Sequence, residues 1–145
     1  MRRLALILTL GLAGHSAAMA QSPKTCGAAS SSPDDVVQAQ VDAYNAHDVD
    51  RFASCYADDV TLKSLAGDRP DVKGIEALKT TYKFLTTAPK EFGVEVVKRV
   101  VNGPIVVYLE RVHGRAANST APTDSIVVYE VRNGKIVSAW FPPRQ

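Results

Sequence analysis

At Phe92 the spacing of apolar residues changes from the three and four of helices to the two of strands. Upstream, Ser32-Pro33-Asp34-Asp35 is a strong helix start: Ser32 can cap, Pro33 fits the first turn, and two acids face the positive end of the dipole. The helix it opens runs to about Ala46, with Val37, Val41 and Tyr44 on one face. Asp48 caps a second helix reaching Tyr56, which exits through Ala57-Asp58-Asp59 into a strand, Val60 to Ser64. Leu65 to Val72 reads as a loop. A third helix spans Gly74 to about Thr87, with Ile75, Leu78, Tyr82 and Leu85 as its buried stripe and Pro89 as its stop. Downstream, strands read Phe92–Val101, Ile105–Arg115, Ser125–Arg132 and Lys135–Phe141. Asn102-Gly103 and Asn133-Gly134 supply hairpin turns, and Ala116 to Thr123 a longer polar connection. Helices first and antiparallel strands after them predict an α+β domain, three N-terminal helices packed on one face of a curved sheet.

The first 20 residues have the pattern of a secretory signal peptide. Arg2 and Arg3 precede a short apolar run, and Ala18-Met19-Ala20 is a small-x-small cleavage site, which places the mature start near Gln21. The chain is then periplasmic or secreted, with no membrane attachment after cleavage. Residues 21–32 read as a flexible tail and 33–143 as one domain. Removing Arg2 and Arg3 from 17 basic residues leaves 15 against 15 acidic ones, so the mature chain has no net charge. That balance, with no basic stripe, gives no footprint for nucleic acid. No metal-ligand spacing, phosphate loop or Ser-His-Asp arrangement is present, and no cofactor is expected. An oxidising compartment favours pairing Cys26 with Cys55. Such a bridge would contribute roughly 3–4 kcal/mol in the chain-entropy model. Two free thiols, with Cys55 a small core residue, are the alternative.

The segment Val41 to Val60, VDAYNAHDVDRFASCYADDV, turns sharply at Asn45-Ala46-His47-Asp48 between two helices and leaves through Asp58-Asp59. With the closing Asn133-Gly134-Lys135-Ile136-Val137, it resembles the nuclear-transport-factor-2-like superfamily, which includes SnoaL-like polyketide cyclases and ketosteroid isomerases. The resemblance spans roughly Pro33 to Phe141 and implies a cone-shaped cup for a small apolar ligand. Ketosteroid isomerases use a carboxylate base after the first strand, a helix-one Tyr and a protonated acid on the penultimate strand. The matching positions here are Ser64, Gln40 and the apolar Ile126-Val127-Val128. The resemblance therefore implies no steroid-isomerase chemistry, and whether any reaction is catalysed stays open.

The expected pocket consists of Tyr44, Tyr82, Val128 and Phe141, with Ser64 at the rim. Tyr44 and Tyr82 fall on pocket positions of the isomerases, and each could equally be core. Val128 and Phe141 share one expected concave face with Ile126, Glu130, Val137 and Ala139, which turns Trp140 outward. Two weak catalytic candidates stand out, His113 near a strand end and Glu130. His47 in the bend reads as a capping or solvent-facing residue, and Asp68-Arg69-Pro70-Asp71 as an exposed salt-linked turn. Strands 105–115 and 125–132 are apolar on both faces, whereas three helices can cover only one. A homodimer with Trp140 as anchor is the expected cover, against ordinary surface apolarity. Two functions follow as expectations. One is binding, or slow transformation, of a small apolar molecule in the cup; the other is a non-catalytic dimerisation or protein-docking domain.

Overall fold

A computed structural model describes residues 26–27, 31–115 and 123–143. The expected export signal, most of the expected tail and the connection before the fifth strand lie outside these residues. Helix α1 (Pro33–Asn45) starts as expected, with the Ser32 hydroxyl accepting from the Asp35 amide at 3.1 Å. Helix α2 (Val49–Ala53) is capped by Asp48 and is shorter than expected. Tyr56 is not its end but the first residue of strand β1 (Tyr56–Ser64). Strand β2 is only Val72–Lys73, at the end of the expected loop. Helix α3 (Ile75–Tyr82) tightens into a 3₁₀ turn over Lys83–Thr87. Strands β3 (Gly93–Asn102), β4 (Ile105–His113), β5 (Thr123–Arg132) and β6 (Lys135–Phe141) complete the elements of the described residues.

The six strands form one curved, unclosed sheet in the order β2-β1-β6-β5-β4-β3. Only β1 and β6 run parallel; every other neighbour is antiparallel. At the β5–β6 turn Asn133 and Gly134 both take positive φ, 50° and 72°, the pairing that matches strand twist. The bend after α1 places His47 at φ 57°. Its Nε2 lies 2.8 Å from the Phe92 carbonyl oxygen, so His47 ties the bend to the start of β3 rather than facing solvent. Beside it, Asn45 accepts from the Val94 amide at 2.8 Å and donates to the Val94 carbonyl at 2.9 Å. One side chain thus pairs with edge strand β3 as a neighbouring strand would.

The helices pack on the face that carries Val106, Tyr108, Glu110 and Val112 of β4 and Ser125, Val127, Tyr129 and Val131 of β5, all buried. The N-terminal turn of α1 is fixed there by Tyr108, whose hydroxyl donates to Asp34 at 2.6 Å. Cys26 and Cys55 form a disulfide, and the Gly27 amide donates to the Gly134 carbonyl at 3.2 Å. Cys26 and Gly27 are therefore held against the start of β1 and the β5–β6 turn. Among the described residues no helix is long and apolar enough to cross a membrane.

Candidate functional site

Between the helices and the concave sheet face lies an open cavity of about 400 Å³. Its helix side carries Tyr44 of α1, Tyr82 of α3, Phe84 of the 3₁₀ turn and Phe92 before β3. The Tyr44 ring is 6.2 Å from Tyr82 and 5.8 Å from Phe92, centroid to centroid, in tilted and edge contacts. The sheet side adds Tyr56, Tyr129 and Phe141. The walls are therefore rich in aromatic rings, joined by Val41, Val94, Val112 and Val127, with polar groups at two levels.

At the depth lie Gln40 and Glu110, only 5% and 8% exposed. Tyr129 donates its hydroxyl proton to one Glu110 oxygen at 2.9 Å. Burial pushes the Glu110 carboxyl up from 4.5 to about 7, against the pull of that hydrogen bond. Burial, with Glu110 nearby, raises the Tyr82 phenol to about 12 and holds Tyr129 well above its ordinary range. A carboxyl that titrates near neutrality in a desolvated cup can accept or deliver a proton at ordinary pH. The side-chain oxygen of Gln40 is buried with no hydrogen-bond partner among the described residues. At the mouth, where residues are exposed, stand Arg69, Arg115 and Thr81. The Arg69 guanidinium lies 4.6 Å over the Phe141 ring. Among the described residues no cluster of three or more His, Cys, Asp or Glu could hold a metal.

A family model described as a SnoaL-like domain matches residues 37–139. The chain belongs to the SnoaL-like family. Its fold is that of the nuclear-transport-factor-2-like superfamily, as the sequence resemblance implied. No curated protein matches it. An uncharacterised cystatin-fold protein of Novosphingobium aromaticivorans is 26% identical, with a TM-score of 0.66 over 77% of this chain and 97% of its own. A proposed polyketide cyclase of Sinorhizobium meliloti is 20% identical, with a TM-score of 0.62 over 74% and 93%. A protein of ketosteroid isomerase-like fold from Catenulispora acidiphila, in complex with trimethylamine, is 16% identical, with a TM-score of 0.62 over 73% and 82%. The latter two likenesses concern the fold alone.

In this SnoaL-like domain Tyr44, Tyr82 and Phe141 line the same cavity. Ser64 sits in a small adjoining depression with Arg69, Tyr82 and Phe141, its hydroxyl donating to Asp68. Val128 does not join them. It pairs with Trp140 on the opposite sheet face, while Val127 and Tyr129 line the cup. Ile126 and Glu130, expected on the concave side, face outward with Val128. The cause is a one-residue error of face, since strand β5 is apolar on both sides and its alternation does not say which side is inner. Neither weak catalytic candidate points into the cup. His113 is exposed, with Nδ1 2.8 Å from the Glu91 carbonyl oxygen. Glu130 accepts from Arg132 on the outer face. Arg69 is exposed in its turn, as expected, and its guanidinium also lies over Phe141, an aromatic wall of the cup. The carboxyl that does enter the cup, Glu110, went unremarked in the sequence. Its signal was a lone charged residue in the alternation Val106, Tyr108, Glu110, Val112 of a central strand.

Proposed function

We propose that this is an exported SnoaL-like domain that holds a small, mainly apolar molecule in its cup. One observation carries the reading: about 400 Å³ stays open among large aromatic side chains, with Gln40 and Glu110 buried at its depth. A domain used only for docking would gain stability by filling that space, because empty volume forfeits packing contacts. Aromatic walls with few polar groups suit a ring-bearing ligand, and the polyketide-cyclase name of one structural neighbour agrees with that class. Glu110 is the group that would exchange a proton with the bound molecule, which makes slow transformation chemically accessible where Ser64 alone would not. The disulfide agrees with export, and N-terminal sequencing of protein recovered outside the cytoplasm should begin near Gln21.

Native mass spectrometry of protein purified from its own host tests the pocket. A bound small-molecule mass is expected, and it should be lost from Thr81→Trp, which places a large ring at the exposed mouth. Protein that carries no such mass and takes up no 2-naphthol would overturn the reading.

A second reading concerns assembly and rests on the outer sheet face. Val100 and Ile126 are 63% and 46% exposed there, beside half-buried Val107, Val128 and Trp140. A second copy of this chain is the occupant that this face suits, with Trp140 as its aromatic anchor.

A further inference from the structure

The polar groups of the cup are arranged by depth and by sign. At the mouth Arg69 and Arg115 both line the cavity and both are exposed. Arg69 is held by its position over the Phe141 ring, so its guanidinium is oriented rather than free to wander. At the depth stand two acceptors, among buried residues that also carry hydroxyls, Tyr56, Ser125 and Tyr129. The Gln40 oxygen is buried without a donor among the described residues, and Glu110 has one oxygen engaged by Tyr129. A buried acceptor without a donor is costly, and native proteins rarely keep one without water or a ligand to serve it. Between the two levels the walls are aromatic rings, Tyr44, Tyr82, Phe92 and Phe141 among them.

We infer that the ligand of this cup is a small organic acid with a ring-sized apolar body and a hydroxyl at its far end. Its carboxylate sits at the mouth between Arg69 and Arg115, and its hydroxyl donates its one proton to the Gln40 oxygen at the depth. The inference rests on the proposed binding function and adds the polarity of the molecule to it. A guanidinium matches a carboxylate in geometry as well as charge. A simple amine is disfavoured, because it would pass two arginines to reach Glu110. A plain hydrocarbon is disfavoured too, since it would leave the Gln40 oxygen unserved and desolvated.

Three probes of one size separate the contributions: 6-hydroxy-2-naphthoate, 2-naphthoate and 2-naphthol, titrated by calorimetry or by their own fluorescence. The hydroxy acid should bind most tightly, and removing either polar group should weaken binding by about tenfold. Arg69→Gln should weaken the two acids by about tenfold while changing 2-naphthol less than twofold. Gln40→Leu should weaken the two hydroxyl-bearing probes and spare 2-naphthoate, which distinguishes a lost hydrogen bond from a lost fold. If 2-naphthol binds and the hydroxy acid binds no more tightly, the ligand class is wrong while the cup remains a binding site. If none of the three binds, the binding function falls, and this inference with it.

Discussion

The hydroxyl of Tyr129 donates to Glu110 across 2.9 Å, although the two residues are not cross-strand partners. Tyr129 sits opposite Val106, and Glu110 opposite Ser125, so the phenol leans along the inner face to reach the carboxyl. The pair is buried, and it places a hydrogen-bonded acid in a cup rich in aromatic rings. Tyr56 of β1, Tyr82 of α3 and the two arginines of the mouth line the same space. This carboxyl lies inside the cup, whereas the isomerase positions Ser64, Gln40 and Ile126-Val127-Val128 supply none.

Glu110 makes the fold sensitive to pH. Its folded value of about 7 lies above the ordinary 4.5, with burial as the main cause. Below about pH 4.5 the group is protonated in both states and adds no penalty. As pH rises from there, the unfolded chain releases the proton first, so stability falls until the folded value is passed. The whole effect is roughly 3 kcal/mol. Urea unfolding of Glu110→Gln between pH 4 and 8 should lack this decline; curves parallel to those of the original chain would refute it.

Asn45 should be a large contributor among the polar residues outside the cup. Asn45→Ala removes both hydrogen bonds to Val94 and leaves a partly buried amide and carbonyl unserved at an edge strand. A loss of about 2 kcal/mol is expected from such a pair. Hydrogen exchange at the Val94 amide should accelerate with it. An unchanged rate there would mean that β3 holds its edge without help.

Removing the disulfide should cost stability without emptying the cup, because Cys26 and Cys55 close a 29-residue separation and do not line the cavity. The double variant Cys26→Ser with Cys55→Ala should lose about 3 kcal/mol in urea unfolding. Its uptake of 2-naphthol should stay within twofold of the original. A midpoint equal to that of the oxidised chain would remove the bridge from the account.

Trp140 tests assembly. Sedimentation at micromolar concentration should give about twice the chain mass, and Trp140→Glu should shift the protein toward monomer. An unpaired charge buried at an interface costs several kcal/mol. A monomeric original chain would leave the outer face as plain surface.

How much was legible in the sequence depended on the range of the force involved. Caps, turn residues and apolar period act over a few neighbours, so the order of helices and strands was readable from Ser32, Asp48, Asn133-Gly134 and the change of period at Phe92. Tyr44, Tyr82 and Phe141 line the cavity as expected, and the helical stripes that carry the two tyrosines are likewise local. The inner face of β5 was decided elsewhere. Ile126-Val127-Val128 satisfies either orientation, and the choice comes from packing against α1 and from the reach of Tyr129 to Glu110. Arg69 likewise reads as loop polarity until tertiary packing lays it over Phe141, 72 residues away in the chain. The sequence by itself therefore determined the helices, the longer strands and three rings of the aromatic wall, Tyr44, Tyr82 and Phe141. Only the tertiary structure decided the chemistry inside it, because burial, and with it the raised pKa of Glu110 and the stranded oxygen of Gln40, belongs to no single segment.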